Sequence, residues 1–164
     1  MDAAPFTTGK EHRIRRAQPG DVPALAGLLR RIGWFAGVND EAPEETPARV
    51  ERALTGCLGD DSHSLYVACG PDGGIAGYVS VHWLPYLFMS GPEGFISELF
   101  IDEPARGQGL GAQLLATVEA EARQRGCARL GLVNMRTRES YERGFYAKMG
   151  WEERPEAANF VKRL

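Results

Sequence analysis

An α/β domain, a mixed sheet with helices on its faces, is what the sequence predicts, and three observations predict it. Three β-rich runs follow one another in the middle of the chain: SLYVAC, GIAGYVSVHW and FISELFI. Helical apolar spacing stands on either side of them, and helix and strand then alternate toward the carboxyl terminus. At 164 residues the chain fits one domain spanning 1–164, with room to bury roughly 70% of the surface its unfolded form exposes.

The elements follow in order. His12 to Arg16 reads as a short first strand. QPGD then sets up a helix with Asp21 as N-cap, whose Val22, Leu25, Leu28, Leu29 and Ile32 share one face and which Gly33 stops. WFAGVNDEAPEE is polar and turn-rich, a loop. Thr46 as N-cap and Pro47 at the first helical position open a second helix, with Val50, Ala53, Leu54, Cys57 and Leu58 as its stripe. Pro71-Asp72-Gly73-Gly74 between SLYVAC and GIAGYVSVHW predicts a hairpin. LPYLFMSGPEG is a loop rich in large apolar groups, and FISELFI ends at Asp102-Glu103-Pro104. From Gly109 to Arg125 a helix carries Leu110, Leu114, Leu115, Val118 and Ala122 toward the core, and Gly126 caps it. ARLGLVNM is a further strand, Ser140 to Met149 a further helix closed by Gly150, and WEERPEAANFVKRL supplies one or two last strands.

Composition narrows the function classes. Hydrophobic content of 43%, charged content of 25% and mean hydropathy of -0.30 describe an ordinary soluble globule. Net charge of -3 leaves no basic footprint for nucleic acid, and no apolar run approaches the ~20 residues of a membrane span. The amino terminus, MDAAPFTTGKEHRIRR, has no continuous apolar h-region. Cys57, Cys69 and Cys127 are too few and too far apart for a zinc site, and their odd number speaks against a disulfide framework. A cytoplasmic protein with no metal is the expectation. The acidic balance tilts weakly toward a cationic partner.

The helix in EPARGQGLGAQLLATVEAEARQRG starts in an unusual way. Gly107, Gly109 and Gly111 crowd its first turn, each costing about 1 kcal/mol relative to alanine inside a helix. Between Glu103 and Glu119 there is no carboxylate, although a helix amino end carries about +0.5 charge. Free amides, bare glycines and Arg106 together describe a seat for an external anion, best a phosphate. A connector needed only for a tight strand-to-helix turn is the structural alternative. A dinucleotide fingerprint, Gly107-x-Gly109-x-x-Ala112, is the runner-up ligand reading; it lacks a ribose-binding acid, since ARLGLVNM ends in Asn134. No Gly-Lys-Ser or Gly-Lys-Thr follows for a P-loop.

Arg106-x-x-Gly109-x-Gly111, preceded by ISELFI and followed by LLATVEAEARQRG, resembles the acyl-CoA-binding motif of the GNAT superfamily of N-acetyltransferases. ESYERGFYAKMGW is similar to that family's late helix ending in Phe-Tyr-x-x-x-Gly-Trp, and the two motifs cover the chain from roughly Phe95 to Trp151. The resemblance implies a single GNAT domain with a mixed, largely antiparallel sheet flanked by helices on both faces. It also implies acetyl-CoA as co-substrate and a homodimer by family habit. The diphosphate would lie on the amides of Arg106, Gly107, Gln108, Gly109, Leu110, Gly111 and Ala112, and the pantetheine arm beside Leu99, Phe100 and Ile101. Glu139 stands where the family often has a cofactor-contacting asparagine, so that contact is not transferred.

The acceptor amine must be neutral to attack a thioester, and holding a free alkyl amine deprotonated at pH 7 costs roughly 4 to 5 kcal/mol. Glu98 is the candidate base, on the expectation that it shares a strand face with Ile96 and Phe100, whose apolar character raises a carboxylate pKa. A structural glutamate paired with an arginine or a backbone amide is the alternative. Tyr146 stands where the family's tyrosine protonates the departing thiolate, with a packed aromatic as the alternative. The implied reaction is direct attack of a primary amine, from a small molecule or a peptide, in a ternary complex. A non-catalytic CoA-sensing module and, further off, a dinucleotide-binding oxidoreductase are the rivals. His12, His63 and His82 read as scattered and unpaired, and His82 borders the acceptor cleft. Trp34, Phe35, Trp83, Tyr86 and Phe88 either wall that cleft or pack in the core or against a second copy. Asp40, Glu41, Glu44 and Glu45 read as a solvated loop.

Overall fold

The computed structural model describes residues 12–164; residues 1–11, which hold most of the amino-terminal stretch read as lacking an apolar h-region, lie outside it. Five strands form one sheet in the order β1-β2-β3-β4-β5. β1 (Arg13–Arg16), β2 (His63–Cys69), β3 (Ile75–Leu84) and β4 (Glu93–Ile101) pair antiparallel in sequence, and the expected hairpin joins β2 to β3. β5 (Arg129–Leu132) joins β4 parallel, which demands a crossover between them. The glycine-led helix, α4 (Leu110–Gln124), supplies it.

One face of the sheet carries α1 (Val22–Ile32) and α3 (Glu45–Leu58), whose Leu25, Leu28, Val50 and Leu54 pack on Leu65, Val67 and Tyr78. The other carries α4, whose Leu110, Leu114, Leu115 and Val118 pack on Val79, Val81 and Ile96. Leu114, Leu115 and Val118 have no exposed surface, and each contributes about 1.5–3 kcal/mol through burial. Among the described residues no helix is long and apolar enough to cross a membrane. Cys57, Cys69 and Cys127 are free thiols, each partly buried.

Local chemistry departs from expectation at several places. Asp21 stands at the N-cap position of α1, as expected, but its side chain makes no cap bond there: the carboxylate accepts from Gln18 N at 2.8 Å and from Arg15 at 2.7 Å, closing a short 3-10 turn at Pro19–Asp21. α3 starts before Thr46, and the buried Thr46 hydroxyl accepts from Arg30 Nη1 at 2.9 Å. One helical turn, α2 (Ala36–Asn39), lies inside the expected loop and is too short to show periodicity. The late helix is two single turns, α5 (Glu139–Glu142) and α6 (Phe145–Lys148), because Gly144 between them takes a left-handed φ of 64° that no continuing helix contains. Among the described residues the tail forms no strand. Pro155 removes a ladder donor, and Glu153 is held by side chains, accepting from Arg136 at 2.6 Å and from the Tyr141 hydroxyl at 2.9 Å.

α4 is fastened to the sheet by a buried carboxylate. Glu121 accepts from Arg16, from Ser64 Oγ at 2.9 Å, from the Tyr66 hydroxyl at 2.8 Å and from Arg125 Nε at 2.9 Å, while Trp83 Nε1 donates to the same Ser64 oxygen at 3.0 Å. Burial, and then this bond to Glu121, holds the Tyr66 phenol above its ordinary pKa. Glu121→Ala is expected to cost about 3 kcal/mol in urea unfolding, because Ser64 and Tyr66 keep desolvated donors with nothing to accept them. Glu121→Gln should cost less, since an amide oxygen still accepts.

Candidate active site

Below β4 the chain makes a 3-10 turn at Glu103–Ala105, with Glu103 N donating to Asp102 Oδ1, and then enters the glycine loop. Gly107 and Gly109 have φ of 75° and 77°, so both do conformational work that a residue with a Cβ does poorly. Gly111 serves another purpose: a Cβ there would stand 3.1 Å from Phe145 Cζ, so its absence lets α6 pack down on α4. Among the described residues, no amide from Gly107 through Ala112 donates a hydrogen bond to another protein group, while Gln113 N resumes the helical pattern on Gly109 O. The first turn of α4 holds no acidic residue. Arg106 Nε donates to Ile101 O at 3.3 Å, and its guanidinium lies 5.2 Å from the Trp34 ring centre. Arg138, which the sequence reading missed, brings a second guanidinium to 4.2 Å from the same indole. Nothing local flags Arg138, because only the folded turn after β5 carries it there.

β4 and β5 separate beside this loop. Their pairing runs from Glu93↔Arg129 to Ile96↔Leu132 and stops, and a salt bridge from Arg129 Nε to buried Glu93 closes the paired end at 2.6 Å. Leu99, Phe100 and Ile101 continue along β3 on one side, with no strand among the described residues on the other. A β-bulge lies where the register passes from Ser80↔Glu98 to Val81↔Ile96, leaving Ser97 as the extra residue. It corrects the expected face: Ile96 and Leu99 pack toward α4, whereas Glu98 and Phe100 turn toward α1 and α3.

Glu98 thereby lines a cavity of about 250 Å³. Leu29, Phe35, Val38, Val50 and Ala53 form its apolar walls, and Arg49 is its other charged group. Burial pushes the Glu98 carboxyl above the usual glutamate range, and the Tyr78 hydroxyl beside it partly opposes that rise. Tyr146, on α6, packs edge-to-face on Phe145 at 5.0 Å and on Trp151 at 6.0 Å, against the α4-side core. Burial raises its phenol pKa, so at neutral pH it keeps its proton. The parted strands lie between the Glu98 side and the Tyr146 side.

Other expected residues are redistributed. Phe35 lines the cavity and stacks edge-to-face on Phe100 at 5.0 Å, whereas Trp34 meets the two loop-side arginines. Trp83 is a core residue under Arg125, and Tyr86 and Phe88 stack on one another in the β3–β4 loop. His63 and His82 are not unpaired: their rings stand 4.3 Å apart, and His82 Nε2 bonds to Ser97 Oγ at 2.9 Å, next to the bulge. Burial, then His63, lowers the His82 pKa. Nor is the acidic loop wholly solvated, since the Glu41 carboxylate is largely covered and holds Arg49 at 2.7 Å.

The family model described as acetyltransferase (GNAT) family matches residues 31–151, well beyond the stretch carried by the two motifs. The chain is 32% identical over 121 residues to aminoglycoside N(6')-acetyltransferase type 1 of Stenotrophomonas maltophilia, covering 71% of each chain. It is 30% identical over 155 residues to glucosamine 6-phosphate N-acetyltransferase 1 of Oryza sativa subsp. japonica, covering 93% of this chain and 88% of that one. Among solved structures, a transcriptional regulator from Bacillus halodurans C-125 superposes with a TM-score of 0.80 at 27% identity, over 94% of this chain and 100% of its own.

Proposed function

The chain belongs to the GNAT family and is an acetyltransferase, and on that premise we propose that it moves an acetyl group from acetyl-CoA to a small primary amine by direct attack. The observation that carries this reading is the row of undonated amides from Gly107 through Ala112 at the positive end of α4. A diphosphate fits there: amides and the helix dipole favour it, no carboxylate competes, and Arg106 and Arg138 lie close by. The open edge of Leu99, Phe100 and Ile101 suits an extended, amide-bearing arm that completes the sheet. Acetyl-CoA, when bound, supplies the thioester carbonyl and a thiolate leaving group.

Glu98 takes the proton from the acceptor amine, directly or through a water, and its raised pKa brings it nearer the amine it must deprotonate. Tyr146 donates to the departing sulfur. Backbone amides of β4 polarise the carbonyl. No residue of this chain is required to form a covalent intermediate. Partly buried free thiols favour a reducing, cytoplasmic setting, and the homodimer expected of the family is read by light scattering.

The experiment is release of free thiol from acetyl-CoA against a panel of primary amines, with the product identified by its mass. Thiol release that depends on an amine supports the reading; tight CoA binding with no release under any amine returns the chain to a sensing module. Tyr146→Phe is expected to lower kcat on the order of a hundredfold while the Kd for acetyl-CoA stays within about twofold. Undiminished turnover in that variant removes Tyr146 from the mechanism.

A further inference from the structure

The cavity beside Glu98 has a second polar feature that the transfer chemistry does not use. Arg49 lines it from α3, and its guanidinium is fixed at two of its three nitrogens. Nε and Nη2 donate to Glu41 Oε2 at 2.8 and 2.7 Å, and Nη2 also donates to Gly37 O at 3.0 Å. Nη1 makes no hydrogen bond among the described residues, and with the side chain 48% exposed it is free to donate. Gly37, itself on the cavity wall, lies beside this guanidinium: a Cβ there would stand 3.9 Å from Nη1, an ordinary contact distance.

We infer that Arg49 selects the acceptor, so that the cavity takes a small primary amine carrying an oxyanion, a carboxylate or a phosphate, at the end away from Glu98. The inference rests on the reading of this cavity as the acceptor site. The half-open cavity of about 250 Å³ has room for a small amine. Its chemistry supports the oxyanion. A guanidinium stays charged at any working pH and presents a planar pair of donors matched to carboxylate and phosphate oxygens. A cationic tail offers that donor no acceptor, and a neutral one leaves it half paired.

The charged groups around Arg49 set the kind of discrimination. Glu41 and Glu45 attract the guanidinium, and Arg30 faces Glu41 from α1, with Nη1 donating to Val38 O and Thr46 Oγ1. Two arginines and two carboxylates leave little net field. Selection is therefore a matter of directed hydrogen bonds at Nη1 rather than long-range attraction. The rest of the lining is apolar, so the acceptor inferred here joins its oxyanion to its amine through a short apolar spacer.

The test compares acceptors of similar length: β-alanine, phosphoethanolamine, propanolamine and diaminopropane, each with saturating acetyl-CoA. The expected kcat/KM for an oxyanion-bearing amine exceeds that for propanolamine by about 10- to 100-fold, with diaminopropane poorest. β-Alanine against phosphoethanolamine separates the two oxyanions. Arg49→Gln should erase that advantage while changing propanolamine by less than about threefold, and Arg49→Lys should restore part of it. A preference for diaminopropane, or an equal loss on all four amines in Arg49→Gln, overturns the inference, the second outcome making Arg49 a structural tie. If no amine releases thiol, the proposed function fails by itself. Calorimetric titration of the same amines into the CoA-loaded protein then decides on Arg49. Tighter binding of the oxyanion-bearing amines that Arg49→Gln abolishes upholds the inference; equal affinities, or no binding, end it.

Discussion

Glu98→Gln is expected to lower kcat by a factor on the order of 10² to 10⁴ at neutral pH, with the affinity for acetyl-CoA nearly unchanged. Glutamine preserves shape and hydrogen bonding but cannot accept the amine's proton, so the loss isolates proton transfer. The pH dependence gives a second reading. Burial raises the Glu98 pKa, and the Tyr78 hydroxyl only partly opposes that rise. The base works as carboxylate, so kcat/KM must climb as pH rises through the raised pKa, with its acid limb above the ordinary glutamate range. Glu98→Gln should flatten that limb. A retained limb with full turnover would assign Glu98 to structure.

Gly109→Val should raise the Kd for acetyl-CoA by about 10- to 100-fold. At φ of 77° a β-branched residue is strained, and a shifted loop no longer aims its amides at one anion. Strain alone also lowers stability, so a matched control is needed. Gly126 has φ of 67° at the far end of the same helix, with nothing within 4 Å of a Cβ placed there. Gly126→Val should therefore lower the unfolding midpoint much as Gly109→Val does and leave the Kd alone. Equal effects of the two variants on Kd would mean that the glycine loop acts through stability only.

What the sequence disclosed was whatever depends on neighbours along the chain. The hairpin at Pro71–Gly74, the core stripe of α4 and the glycine-led start of that helix all follow from local spacing and turn chemistry. The Ser97 bulge was hidden, because an extra residue on β4 is defined only against the register of β3, and it leaves Glu98 on one face with Phe100 while moving Ile96 to the other. Gly111 showed the same blindness in reverse: it reads as part of an anion seat, yet its small size also makes room for Phe145, far along the chain. Arg138 reaches its place only through the turn after β5, and Arg49 only through the packing of α3 on the sheet. The tail has enough apolar residues to suggest strands, but Phe160 and Val161 stay exposed, with no strand of the described residues pairing with them.

The central claim is that main-chain amides at the start of α4 hold the diphosphate of the co-substrate. The most direct measurement follows the amide resonances of Gly107 through Ala112 by NMR during titration with acetyl-CoA and, separately, with acetylpantetheine, which lacks the diphosphate. Large shifts in that segment with acetyl-CoA and none with acetylpantetheine are the predicted result. Unmoved resonances at saturating acetyl-CoA, with shifts confined to other parts of the chain, would contradict it.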